Sequence, residues 1–163
     1  MEIEPTDELK RGYQLAKIIG IAMIGSLFAY VVIVELIKMN SLNFKGFVPF
    51  DKMAFLRYVF FGMAVVEFFL IRFIKNRILS GKDIRPTGPG DKTIRSFSPK
   101  TQRLISTAIV SYAFCESVAI FGLILFLIGG SSFDFYIFLV LSLIFLMVYF
   151  PRYSQWEEGV KAT

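Results

Sequence analysis

The sequence predicts an all-α integral membrane protein in which four transmembrane helices form two antiparallel hairpins. The chain of 163 residues is 55% hydrophobic, which is more apolar than a typical soluble domain. Its apolar residues gather in four runs, and each run is close to the roughly 20 residues that a helix needs to cross a bilayer core. The runs are centred near Gly25, Val65, Glu116 and Ser142. Little is left for a separate soluble domain, so residues 1–163 are predicted to form a single membrane domain.

The first two runs predict spans at about residues 18–37 and 53–74. Within the first span, Gly25 and Ala29 lie four residues apart, and this spacing lets a second helix approach closely. Similar small residues occur in the third run. Helix packing is therefore predicted for Gly25, Ala29, Ala119 and Gly122.

The last two runs predict spans at about residues 104–128 and 133–150. Ser98 followed by Pro99 is typical of an N-cap and the first helical residue. Gly129 and Gly130 predict the end of the third span. Because few residues separate these two spans, we expect them to form a tight antiparallel hairpin.

The basic residues are unequally distributed between the two sides of the membrane. Fourteen of the 18 Lys and Arg lie in the N-terminal segment, in the stretch from Arg72 to Arg103, and in the C-terminal tail. By the positive-inside rule, both termini and a long basic loop at 75–103 are predicted to be cytoplasmic, with a bacterial inner membrane as the expected location. The net charge of +5 fits this topology and attraction to anionic lipid. We therefore expect the bilayer and other membrane subunits, or further copies of the chain, as partners, and no nucleic acid.

The residue types that support most catalytic and metal chemistry are scarce. The chain has no histidine and one cysteine, Cys115, so haem ligation, zinc sites and an internal disulfide are not expected. The sequence shows no pairing of a nucleophile with a base. We expect no enzymatic activity, no cofactor and no metal.

Glu116 is the most informative residue, because it lies at about the middle of an apolar run. A carboxylate at this depth is costly and normally binds a proton, pairs with a cation or faces a polar cavity. No Lys or Arg occurs between Leu104 and Tyr149. Tyr112 lies one helical turn away and is predicted to donate a hydrogen bond to the carboxylate. Glu116 and Tyr112 are therefore predicted to form a proton-binding site, while Ser117 points about 100° around the helix towards another partner.

Glu67 is the second candidate for proton binding. Counting residues from the long loop places Glu67 and Glu116 roughly 8 Å apart in depth, which argues against a shared proton. Pairing of Glu67 with Arg72, or exposure near the headgroups, is an equally good interpretation. Glu35, close to Lys38, is predicted to be a surface ion-pair partner.

The segment ESVAIFGL, Glu116 to Leu123, resembles the ion-binding helix of the F-type ATP synthase c subunit, the proteolipid of the rotor ring. In that family a membrane carboxylate is followed by small and apolar residues and then by Ala-Ile-aromatic-Gly-Leu. The resemblance implies that Glu116 is the ion-binding carboxylate and that Phe121 occupies the aromatic position beside it. Val118 replaces the hydroxyl found in sodium-binding relatives, so a proton is the expected ion. The resemblance covers one helix of four.

Two functions remain open from the sequence. The first is a proton-binding membrane protein, either a c-like proteolipid or a subunit of a proton-translocating complex. The alternative is a structural or assembly subunit without transport or catalytic activity. When the sequence is aligned with itself at a shift of 90 residues, Ala29 matches Ala119 and Ser26 lies opposite Glu116. The few matches are compatible with two related hairpins but do not establish them.

Overall fold

The computed structural model describes residues 5–40, 44, 46–48, 50–79, 97–154 and 156–157. These residues include four long helices: α1 (Pro5–Asn40), α2 (Phe50–Leu79), α3 (Pro99–Gly129) and α4 (Ser132–Tyr149). All four are long and apolar enough to cross a bilayer. The prediction of an all-α integral membrane protein with four transmembrane helices is confirmed.

The helices extend beyond the predicted spans, and the long basic loop is correspondingly shorter. Residues 75–79 continue α2 and residues 99–103 begin α3, so both ends of the predicted loop 75–103 are helical. Residues 80–96 lie outside the described residues. Hydropathy marks only the part of a helix that faces hydrocarbon, whereas backbone hydrogen bonding continues into the polar interface.

Local signals account for the bounds of α3 and for the tight turn into α4. As predicted, Ser98 is the N-cap of α3, with its hydroxyl accepting a hydrogen bond from the Thr101 N–H, and a proline follows as the first helical residue. Gly130 ends α3 in the left-handed region at φ 68° and donates its N–H to the Phe126 carbonyl. Ser131 then caps α4 by accepting a hydrogen bond from the Asp134 N–H. The predicted hairpin of the last two helices is present.

The central element is α3, which packs against each of the other three helices. Although α1 and α2 are consecutive, each packs mainly on α3 and not on the other. Helix α1 runs parallel to α3 and places Ser26 against Glu116, the pair that the 90-residue shift set opposite each other. Helices α1 and α3 begin, and α2 and α4 end, on the same side of the domain, which we call the basic end because it holds most of the Lys and Arg among the described residues.

Close packing of α1 on α3 depends on a run of small residues that begins before the predicted first span. Gly12, Ala16 and Gly20 are all buried and lie four residues apart, as in small-xxx-small helix interfaces. A Cβ at Gly12 would lie 2.6 Å from Thr101 Cγ2, and one at Gly20 would lie 2.9 Å from the Tyr112 ring. Neither glycine has room for a side chain.

The four residues predicted to pack between helices divide into two pairs. Ala119 is fully buried, and a Cβ at Gly122 would lie 2.7 Å from Phe138 Cβ on α4. Gly25 and Ala29 are instead exposed, and no atom of another element lies within 4 Å of where a Cβ on Gly25 would be. For Gly25 and Ala29 the prediction is wrong within this chain, because α1 turns its other face towards α3.

Residues 46–48, between α1 and α2, contact the last turn of α3. Gly46 takes a positive φ of 74°, which lets the chain turn so that the N–H groups of Phe47 and Val48 both donate to the Ile128 carbonyl, at 2.6 and 2.9 Å. That carbonyl lies in the last turn of α3, where no intrahelical donor remains.

Burial differs sharply between the helices. In the most apolar 18-residue window of each helix, 44% of residues are buried for α3 and 39% for α4, against 17% for α1 and 11% for α2. The hairpin of α3 and α4 is therefore the core, and α1 and α2 present broad apolar faces outward, as a membrane environment requires.

Candidate functional site

Glu116 lies near the middle of α3, about 25 Å from its start and about 20 Å from its end at 1.5 Å per residue. Its Oε1 accepts hydrogen bonds from Ser26 Oγ at 2.6 Å and from the Tyr30 hydroxyl at 2.8 Å. Both donors lie on α1, four residues apart and hence on one helical face. The predicted intramembrane carboxylate is thus held by two neutral hydroxyl groups of a neighbouring helix.

Tyr112 is not among these donors, and its predicted hydrogen bond to Glu116 is wrong. Its side chain is fully buried, with the ring beside Gly20 and its centroid 6.3 Å from that of Phe150. The Tyr112 hydroxyl has no hydrogen-bond partner among the described residues. Tyr112 lies four residues before Glu116, but close contact with the glycine face of α1 directs its ring away from the carboxylate.

Glu67, on α2, receives a hydrogen bond from Ser117 Oγ at 2.8 Å. Ser117 therefore contacts α2, whereas its neighbour Glu116 contacts α1. The direction of Ser117 on α3 predicted a partner other than that of Glu116. Because Glu67 bonds the residue next to Glu116, the two carboxyl groups lie at about the same level of α3, and the predicted offset of about 8 Å in depth is wrong. That calculation assumed that α2 and α3 end level at the basic end, whereas the helices are staggered.

Each serine in these contacts lies within hydrogen-bond distance of two acceptors. Ser26 Oγ is 2.7 Å from the Met23 carbonyl as well as 2.6 Å from Glu116 Oε1. Ser117 Oγ is 2.7 Å from the Phe114 carbonyl as well as 2.8 Å from Glu67 Oε1. A hydroxyl has one proton to donate and lone pairs to accept with. Each serine can therefore donate to an ionised carboxylate, or accept from a protonated one while donating to the backbone.

The two carboxyl groups nonetheless have different surroundings. Glu116 Oε1 receives hydrogen bonds from two hydroxyl groups. Glu67 Oε2 is buried without a partner among the described residues, and an unmet charged oxygen in an apolar setting is costly.

A strip of α3 between these two contacts remains open. Ala113 and Ile120, which lie three residues before and four residues after Glu116, are exposed. Because α1 and α2 each lie on α3 without packing extensively on each other, this strip leads from the surrounding medium towards Glu116, which is itself only partly buried.

An ion pair between α2 and α4, which no local pattern predicts, lies near the opposite end of the domain. Arg57 of α2 bonds Asp134 in the first turn of α4 at 2.7 Å, and their side chains are 27% and 4% exposed. As predicted, Glu35 pairs with Lys38, at 2.9 Å and near the surface, and it also accepts a hydrogen bond from the Tyr136 hydroxyl.

No group of three or more Cys, Asp or Glu side chains in the described part of the chain could hold a metal ion. Comparison with protein-family models, with curated proteins and with solved structures finds no match. The resemblance to the ATP synthase c subunit therefore stays a prediction. Phe121, which that resemblance sets beside the carboxylate, stacks on Phe60 of α2 with ring centroids 5.0 Å apart.

Proposed function

We propose that this chain is a membrane protein whose carboxyl group Glu116 binds and releases a proton, as a subunit of a proton-translocating complex or as a c-like proteolipid. The supporting observation is the position of Ser26 Oγ between Glu116 Oε1 and the Met23 carbonyl. When Glu116 takes up a proton, its new O–H can donate to Ser26 Oγ, and the serine proton turns to the backbone. Both protonation states keep their hydrogen bonds without movement of the helices.

Glu67 and Ser117 repeat the arrangement on the other side of α3. We assign Glu67 a second proton-binding position. With Glu116 and Ser117 adjacent in sequence, the two positions lie at one level of the membrane. Tyr112 has no part in this proposal, because its hydroxyl does not contact either carboxyl group.

Labelling with a hydrophobic carbodiimide tests the proposal, since the reagent modifies protonated carboxyl groups in apolar surroundings. The protein in lipid vesicles is labelled from about pH 5 to about pH 9, a range that spans the titration of moderately perturbed carboxyl groups, and modified residues are identified by mass spectrometry. We expect label on Glu116 that declines at high pH and is absent in Glu116→Gln. Glu35 is the matched control, because it lies near the surface in an ion pair and is expected to stay unlabelled.

The Ser26→Ala variant sharpens this test. It removes one donor to the ionised carboxylate, so labelling of Glu116 is expected to persist to higher pH than in the wild type. Ser111→Ala is the control, because the Ser111 hydroxyl donates within α3 to the Thr107 carbonyl. Failure to label Glu116 at any pH, or a profile that Ser26→Ala leaves unchanged, would contradict the proposal.

The alternative is a structural or assembly subunit, and one observation favours it. Four of the described carboxylates in the helices each bind a side chain of another helix: Glu35 to Tyr136, Glu67 to Ser117, Glu116 to Ser26 and Tyr30, and Asp134 to Arg57. On this interpretation the carboxylates only stabilise the packing of α1 and α2 on the hairpin of α3 and α4. Purification in mild detergent distinguishes the two functions. A defined complex with other subunits, without carbodiimide labelling, favours an assembly subunit. A homo-oligomeric ring favours a c-like proteolipid.

The orientation that accompanies the proposal places the basic end in the cytoplasm of a bacterial cell, following the positive-inside rule. Lys100, at the basic end, and Lys38, near the opposite end, are both exposed. A cysteine at position 100 should react with a membrane-impermeant maleimide only in inside-out vesicles, and one at position 38 only in right-side-out vesicles. The native Cys115 is buried and is expected to stay silent.

A further inference from the structure

A groove lies between α1 and α4, towards the basic end. Its volume is about 360 Å³, within the range of roughly 300–1,000 Å³ that is usual for ligand sites. Four apolar side chains and one cation line it: Ile24, Leu146, Met147, Phe150 and Arg152.

The lining is ordered by polarity along the membrane normal. Leu146 lies in the last turn of α4 and Phe150 is the C-cap of that helix. Arg152 lies three residues beyond the end of α4, and its side chain is exposed. On α1, Lys17 is exposed and precedes Ile24 by seven residues, which is about two helical turns on the same face. The groove is therefore apolar at membrane depth and flanked by cations where the basic end meets water.

Aromatic contacts hold the cationic end in place. The Tyr13 ring of α1 meets the rings of Tyr153 and Trp156 edge-on, at centroid distances of 5.4 and 5.7 Å. These contacts fix the segment that carries Arg152 against α1. Tyr and Trp favour the level of the lipid headgroups, so the arginine lies at the depth where a lipid phosphate is found.

We propose that this groove binds one phospholipid with an anionic headgroup. An acyl chain lies along Ile24, Leu146 and Phe150, and the phosphate lies at Arg152, with Lys17 adding positive charge. Basic pockets between transmembrane helices are a usual setting for anionic headgroups. The proposal does not depend on protonation of Glu116, because none of the lining residues contacts that carboxyl group.

Native mass spectrometry of the full chain in detergent tests the site, with phosphatidylglycerol, phosphatidylcholine and free glycerol phosphate as separate probes. We expect one phosphatidylglycerol per chain, weaker retention of phosphatidylcholine and no competition by glycerol phosphate. A cation near the surface contributes about 1 kcal/mol to such binding, so Arg152→Gln should weaken phosphatidylglycerol binding about fivefold. Arg77→Gln removes the same charge at the basic end but outside the groove, and should leave binding unchanged.

A second pair of variants tests the apolar part of the groove. Met147 is 77% exposed, so Met147→Trp fills the groove without disturbing the core, and it should reduce retention of both lipids. Met63→Trp, on the exposed face of α2, is the matched control and should retain them. Equal effects of Arg152→Gln and Arg77→Gln, equal affinity for the two lipids, competition by glycerol phosphate, or normal binding by Met147→Trp would each overturn the proposal.

Discussion

Replacing Gly122 with alanine tests the packing of α3 on α4, the hairpin that forms the core of the domain. The added Cβ would lie 2.7 Å from Phe138 Cβ and 3.0 Å from the Phe135 carbonyl oxygen, whereas carbon atoms in contact prefer about 3.5–4.0 Å. Both atoms are rigidly attached to α4, so no side-chain rotation relieves the clash and the helices must separate by about 1 Å. Overpacking of this kind costs about 1–3 kcal/mol, and the gain in helix propensity returns up to about 1 kcal/mol.

With the full propensity gain, the net expectation for Gly122→Ala is a loss of up to about 2 kcal/mol, centred on about 1 kcal/mol, which corresponds to a fall in Tm of about 2–4 °C for a chain of this size. Thermal unfolding in detergent, followed by far-ultraviolet circular dichroism, measures it. Gly62→Ala is the matched control, because no atom of another element lies within 4 Å of where its Cβ would be, and it should be neutral or slightly stabilising. If Gly122→Ala unfolds at or above the wild-type temperature, the inferred close contact of α3 and α4 is wrong.

Three further predictions concern buried polar groups and the connecting segment. Arg57→Gln should destabilise the protein by about 2–4 kcal/mol. The loss should exceed that of Asp134→Asn, because Arg57→Gln leaves the less exposed partner, Asp134, without its cation. Denaturant unfolding of both variants measures the order, and a reversed order would contradict the prediction. Tyr112→Phe removes an unpartnered hydroxyl, so the same assay should show unchanged or slightly raised stability, and a clear loss would reveal a hydrogen bond. Gly46→Ala places a side chain at a positive φ and against the end of α3, so it should lower the free energy of unfolding by about 1–3 kcal/mol. Amide hydrogen exchange of Phe47 should become faster. Unchanged exchange would contradict the contact between residues 46–48 and α3.

Much of the fold could be predicted from the sequence because its signals are local. Hydropathy locates four helices, and Ser98 with Pro99 and the Gly129-Gly130 pair set the bounds of α3. The packing order could not be predicted in the same way. Consecutive helices were expected to pair, yet α1 and α2 both lie on α3, and which faces meet depends on steric fit between distant segments.

The candidate site was only partly predictable for the same reason. The apolar surroundings of Glu116 identify it from sequence, but its partners lie 90 and 86 residues away, at Ser26 and Tyr30. The two hydroxyls are spaced four residues apart on α1, and this pattern was the available signal. Spacing within α3 alone points instead to Tyr112, one helical turn from Glu116.

The proton-binding proposal is tested most directly by infrared titration of the protein in lipid vesicles. A protonated carboxyl group has a carbonyl stretch that a carboxylate lacks, so the band can be followed against pH in the wild type, Glu116→Gln and Glu35→Gln. We predict a band that titrates in the wild type and in Glu35→Gln and loses its Glu116 component in Glu116→Gln. A titration that Glu116→Gln leaves unchanged would show that Glu116 does not exchange a proton and would leave it a structural contact between α1 and α3.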